Sequence, residues 1–189
     1  MIDLDSKGYV TAPQLQEVLQ RHGLFCHKDD INTFVLRYDL DSDGRLLYTD
    51  FCDAFTPNNP YYATMVNSRP PFFIHQPVPK LLYFNPETRD CLMQCFRIQF
   101  ELEESIELIK QRLSRRPKYN MNDAFAYLDC FSIGFLSLEG IRNVLAENKV
   151  YPTDDDLKRL ADRFDKSHNG RISYQEFMDE IMPKNSLSL

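Results

Sequence analysis

Apolar residues recur three and four apart in several separate runs, each bounded by polar or turn-forming residues. Leu15, Val18 and Leu19 predict a helix over about 12–22, with Pro13 in its first turn and Gly23 at its end. Ile31, Phe34, Val35 and Tyr38 predict a second over about 28–38, opened by Asp29 and Asp30. Residues 92, 95, 98, 102, 106, 109 and 113 form one stripe along a long helix over 88–114. Shorter helices are predicted near 122–130, capped by Asn122, and over 138–148. Another, led in by Thr153 and the acidic run Asp154–Asp156, carries Leu157, Leu160, Ala161 and Phe164, and a last one carries Phe177 and Ile181. Between these runs, seven prolines fall in 57–86, with Tyr61, Tyr62, Phe72, Phe73, Tyr83 and Phe84 among them. That stretch reads as an extended linker, partly polyproline II, which is either an ordinary loop or packed on a lobe or a partner.

The pattern repeats. Displaced by 126 residues, the chain matches itself without a gap: positions 37–59 hold 9 identities in 23. Arg37, Asp39, Gly44, Arg45, Tyr48 and Phe51 meet Arg163, Asp165, Gly170, Arg171, Tyr174 and Phe177. Asp3 and Gly8 meet Asp129 and Gly134. One unit is used twice, and each unit contains two twelve-residue polar loops between helices.

The loops differ in chemistry. The fourth, Asp165–Glu176, places oxygens at positions 1, 3, 5, 9 and 12 through Asp165, Ser167, Asn169, Ser173 and Glu176. Gly170 makes the sharp turn at position 6, and Arg171 at position 7 offers its backbone carbonyl. A hard cation such as Ca²⁺ takes about six to eight oxygens, and a glutamate at position 12 supplies two. The second loop, Asp39–Asp50, offers Asp39, Asp41, Asp43, the Arg45 carbonyl and Asp50. Asp50 is one methylene shorter than glutamate, so this site is expected to be weaker and open to Mg²⁺. The first loop, Asp3–Gln14, has Lys7 at position 5 and a neutral Gln14 at position 12, and reads as structural. Its entering helix would lie before Met1, so this hand is read as truncated or covered by a partner. The third, Asp129–Gly140, carries Phe131, Ile133 and Gly140 at ligand positions and reads as a partner loop for the fourth. Position 8 of each loop (Val10 and Leu46, Leu136 and Ile172) is expected to bridge to its neighbour.

Charge changes the picture modestly. Net charge is −6, with 10 acidic to 5 basic side chains in 1–57, 6 to 9 in 58–118 and 12 to 8 in 119–189. Acidic blocks around a basic connector suit cations and argue against nucleic acid. Arg112, Arg115, Arg116 and Lys118 complement the end of the long helix or meet an acidic partner. No apolar run approaches the roughly 18–20 residues of a membrane span. Five cysteines without a C-x-x-C spacing read as reduced thiols, and residues 1–5 lack the pattern of a signal segment, so a cytoplasmic protein is expected. No Ser/His/Asp, Cys/His or phosphate-loop arrangement is visible, and no enzyme is expected.

On these loops the chain resembles the EF-hand superfamily of calmodulin and its relatives, over 1–57 and 119–185. The resemblance implies an all-α fold of two paired helix–loop–helix lobes, 1–57 and 119–189, joined by the linker and long helix of 58–118. It also implies Ca²⁺ ligation by the residues named in the second and fourth loops, and a protein partner met through the lobe grooves or the helix 88–114. The layout is similar to multi-EF-hand proteins of cilia and flagella, which implies a cytoskeletal or axonemal setting. The alternative is a scaffold whose lobes bind partners without calcium.

Overall fold

The structure is a computed structural model that describes residues 2–3, 5–39, 41–70 and 83–183. Among them are nine α-helices and two three-residue strands, an all-α fold. None of the described helices is long and apolar enough to cross a membrane. The chain divides into two compact units, Met1–Ile106 and Glu107–Leu189. The tripartite division expected at 57 and 118 differs from this. Residues 86–106 belong to the first unit because their aromatic side chains complete its core.

The first unit runs β1 (Tyr9–Thr11), α1 (Ala12–Arg21), α2 (Lys28–Tyr38), β2 (Arg45–Leu47), α3 (Tyr48–Phe55), α4 (Pro60–Asn67) and the first part of α5 (Pro86–Ser114). Strands β1 and β2 pair antiparallel with Val10 opposite Leu46. Helix α4 corrects the reading of this stretch as an extended linker, partly polyproline II, over 60–67. Pro60 occupies the first helical turn and the Asn59 side chain accepts from the Tyr61 N–H at 3.0 Å, both helix-starting devices. Linker residues 71–82, Phe72 and Phe73 among them, lie outside the described residues.

The second unit holds the end of α5, then α6 (Met121–Leu128), α7 (Leu138–Glu147), α8 (Asp154–Phe164) and α9 (Tyr174–Ile181). Leu136 and Ile172 exchange backbone hydrogen bonds of 2.8 and 3.1 Å, the counterpart of the β1–β2 pair. Helix α6 starts at Asn120, whose side chain accepts from the Asp123 N–H at 2.8 Å. Asn122, expected as the cap, lies inside the first turn. The core of this unit joins Phe125, Leu136, Ile141, Leu157, Ile172 and Phe177.

Helix α5 buries a different face from the one its apolar count predicts. Met93, Phe96 and Phe100 enter the first unit's core beside Leu15, Ile31 and Phe34. Of the predicted stripe, Ile98, Leu102 and Ile109 are 55%, 51% and 62% exposed, Cys95 is exposed, and Leu92, Ile106 and Leu113 are half-buried. Both faces are apolar at helical spacing, and the phenyl rings win because each removes more surface from water than an aliphatic side chain. Further along, the inward face is charged: Glu103, Glu107 and Lys110 are buried. Glu103 reaches Arg37 at 3.3 Å.

Candidate metal centres

All four loops have one backbone. Position 4 has positive φ in each, at Ser6 (56°), Ser42 (59°), Ser132 (52°) and His168 (53°), and a glycine with positive φ follows at position 6. Left-handed backbone costs a side-chain-bearing residue about 1–2 kcal/mol, so something must hold it. The position-1 aspartate does. Its carboxylate accepts from the N–H groups of positions 5 and 6: Asp3 from Lys7 and Gly8 (3.1 and 2.9 Å), Asp39 from Asp43 and Gly44 (3.2 and 2.7 Å). Asp129 accepts from Ile133 and Gly134 (3.0 and 2.8 Å), and Asp165 from Asn169 and Gly170 (3.1 and 2.7 Å). Position 7 is also shared: the Arg45 guanidinium lies over the Tyr9 ring and that of Arg171 over Phe135, each at 4.7 Å.

The loops part at the positions that meet an ion. In the first, the Lys7 ammonium lies 3.3 Å from Asp5 Oδ2, and Gln14 Nε2 donates to the same oxygen at 3.1 Å. A tethered cation and an amide thus already engage that carboxylate. In the third, Phe131 and Ile133 stand exposed at positions 3 and 5. A Cβ on Gly140 would come within 3.2 Å of Ser137 Oγ and 3.4 Å of Cys130 Sγ, so a longer residue at position 12 would have to displace them.

The second loop brings Asp39, Asp41 and Asp43 together, with carboxylate oxygens within 4.8 Å of one another. The Asp39 carboxylate pushes Asp41 above its usual range, and the charges of Asp43 and Asp39 add to the effect. Arg45 Nε stands 3.6 Å from Asp43 Oδ2 and answers part of this charge. Asp50 is not in the cluster. It is buried, accepts from the Leu47 N–H at 2.8 Å and from Thr49 Oγ1 at 3.4 Å, and so caps α3.

In the fourth loop Glu176 reaches across the turn. Its Oε2 accepts from the Ser173 N–H (2.8 Å) and Oγ (2.7 Å), and its Oε1 from the Ser167 N–H (3.0 Å) and Oγ (2.8 Å). Ser167 Oγ also lies 3.2 Å from Asp165 Oδ1, which places positions 1, 3, 9 and 12 around one point. Asn169 Oδ1 accepts from the Arg171 N–H at 2.8 Å. Partial burial pushes the Glu176 carboxyl up, but the Ser173 and Ser167 donors outweigh burial and hold it down at about 2. Because the folded value is depressed, this stabilisation is present above about 4.5 and is lost as pH falls towards about 2. The donor set is all oxygen, two of it from one carboxylate, and fits a hard cation.

Two features escaped the sequence reading. The engagement of Asp5 by Lys7 and Gln14 was legible only as an unfavourable residue at position 5. The commitment of Asp50 to a helix cap was signalled by its place three residues after Leu47.

The comparisons agree with this geometry. The family model described as an EF-hand domain pair matches residues 118–182. The chain is similar to the human EF-hand calcium-binding domain-containing protein 6, 21% identical over 180 residues, which cover 93% of this chain and 11% of that protein. The mouse protein of the same name is 22% identical over 176 residues, again 93% and 11%. The chain therefore spans about a tenth of the length of these relatives. It is also similar to troponin C, isotype gamma, of Astacus leptodactylus, 20% identical over 177 residues, covering 94% of this chain and 85% of that one. Residues 118–182 thus form an EF-hand domain pair, and residues 1–57, with two loops of the same backbone paired in the same way, resemble a second one.

Proposed function

We propose that this is a non-enzymatic calcium-binding protein, taking the ion at its second and fourth loops, that holds or regulates a protein partner. The observation that carries the reading is position 12. Of the four loops, the second and fourth have a carboxylate there that folds back to the start of the following helix; the first loop has an amide and the third has no side chain. The fourth loop would be the tighter calcium site, through Asp165, Ser167, Asn169, the Arg171 carbonyl, Ser173 and both Glu176 oxygens. The second has more charge, through Asp39, Asp41 and Asp43, but Asp50 must leave its cap or act through water. That favours a site shared with Mg²⁺, which keeps several of its waters. A cytoskeletal or axonemal partner fits the layout of two loop pairs on a structured connector.

Calorimetric titration of Ca²⁺, with and without millimolar Mg²⁺, tests the reading. Two saturable sites are expected, with Mg²⁺ competing at one. Glu176→Gln is expected to weaken the tighter site by more than the roughly 10–100-fold typical of losing a group that merely supports a metal ligand. Unchanged binding in that variant would remove the fourth loop from the reading. A calcium-independent scaffold is the second reading, favoured by the two loops that lack ligands. It predicts partner binding unaltered by chelator.

A further inference from the structure

The cations that follow α5 have two readings in the sequence: they complement the helix end, or they meet an acidic partner. The structure separates the two. Helix α5 ends at Ser114, so Arg112 lies in its last turn, while Arg115, Arg116 and Lys118 lie beyond it. All four are exposed. Among the described residues, their side chains make no hydrogen bond to a helix carbonyl and stand within ion-pair distance of no carboxylate. Every one of the chain's 28 aspartates and glutamates is among the described residues, so none outside them is available as a partner. Elsewhere pairing is the rule: seven of the thirteen arginines stand within 4.0 Å of a carboxylate. The segment 112–118 departs from it. Its backbone is also held. The Arg116 N–H donates to the Leu113 carbonyl and the Tyr119 N–H to that of Arg116, each at 3.0 Å, and the ring of Pro117 fixes its own φ. Four like charges on a held backbone raise the local potential and spare an arriving anion part of the ordering cost.

We propose that residues 112–118 are a docking surface for an acidic polypeptide segment rich in aspartate and glutamate. Arginine forks match carboxylates two hydrogen bonds at a time. A lipid surface would need large apolar side chains to enter beside the cations, and the two within 112–119, Leu113 and Tyr119, are half-buried. A nucleic acid would also meet residues 119–189, with 12 acidic side chains to 8 basic, and four cations offer it few phosphate contacts. A flexible acidic chain can reach the four cations without approaching those acids. The acidic run of a second copy is a poorer fit, because Asp154 and Asp156 already pair with Arg142 and Arg159. The surface contains no residue of the four loops, and the proposal stands whether or not they take calcium.

The probe is a fluorescein-labelled oligoglutamate peptide, titrated with the whole chain in EGTA at low salt and followed by anisotropy. Saturable binding is expected, weakening as salt rises through about 0.1 M, where screening reaches over about 10 Å. Arg115→Gln combined with Arg116→Gln should weaken it about fivefold or more. Lys149→Gln combined with Lys158→Gln removes the same charge from exposed positions of the same unit and should change it by less than about twofold. Circular dichroism checks that both variants remain folded. Absence of saturable binding would overturn the proposal. So would equal weakening by the two pairs, which would mean attraction to overall charge. Tighter binding to phosphatidylserine vesicles or to duplex DNA, lost with the arginine pair, would assign the surface to a membrane or to nucleic acid. A dimer in sedimentation that the arginine pair dissolves would assign it to a second copy.

Discussion

Phe96→Ala should destabilise the first unit by about 3–5 kcal/mol, the range for removing a buried phenyl ring. The side chain is fully buried and sits among Phe34, Phe51, Phe55 and Phe100, with ring separations of 5.6, 6.5, 4.6 and 6.0 Å. These four rings are themselves chained by contacts of Phe34 with Phe55 and Phe100 and of Phe51 with Phe55, so no small side chain is able to swing in and the deletion leaves a void. Ile98→Ser, two residues away on the exposed face of the same helix, should change stability by no more than about 0.5 kcal/mol. The comparison separates the two possible faces of α5. Urea unfolding followed by hydrogen exchange of peptides from α2 reports on this unit alone. Equal losses from the two substitutions would mean that α5 is rotated from the position described.

That rotation marks where the sequence stopped being legible. Loop positions could be read because the backbone demands them: an aspartate to hold the turn, a glycine at positive φ and an apolar residue to bridge. The match between Asp39–Tyr48 and Asp165–Tyr174 follows from that demand, and so does the match of Asp3 and Gly8 with Asp129 and Gly134 in the two loops that lack ligands. Helix α5 has no such constraint. Its sequence holds two apolar stripes, Met93–Phe96–Phe100 and Ile98–Leu102–Ile109, and spacing alone does not rank them. Ring size would have. Helix α4 was hidden by the prolines around it, although Asn59-Pro60 is a helix start in its own right. At the candidate sites the ligand positions were legible, but not what else engages them. Asp50 caps a helix and Asp5 meets an ammonium, and both depend on local hydrogen bonds rather than on residue type. Buried charge was hidden altogether, because Glu103, Lys110 and Glu180 read as solvated residues until their partners are placed.

Glu180 carries the other large effect. It is 3% exposed, its Oε1 accepts from Arg163 Nε at 2.6 Å, and Lys110 Nζ lies 3.6 Å from the same oxygen. The repeat sets Arg163 on Arg37 but Glu180 on Ala54. The first unit meets its arginine differently, with Glu103 of α5 at 3.3 Å. Each unit thus balances the same half-buried cation with an acid from a different element, which argues that the arginine's position requires a carboxylate. Glu180→Ala should therefore cost the second unit about 3–5 kcal/mol, because two cations lose the anion they share in a poorly solvated place. The triple variant Lys110→Met, Arg163→Met, Glu180→Leu should recover most of that loss, since an apolar cluster of similar volume removes the need for compensation. Urea unfolding of both variants, read by hydrogen exchange in α8 and α9, checks the pair of outcomes. If Glu180→Ala costs under about 1 kcal/mol, the triad is solvated and its burial does not govern stability. If the single variant is damaged and the triple one no better, the role of Glu180 is one of shape rather than charge.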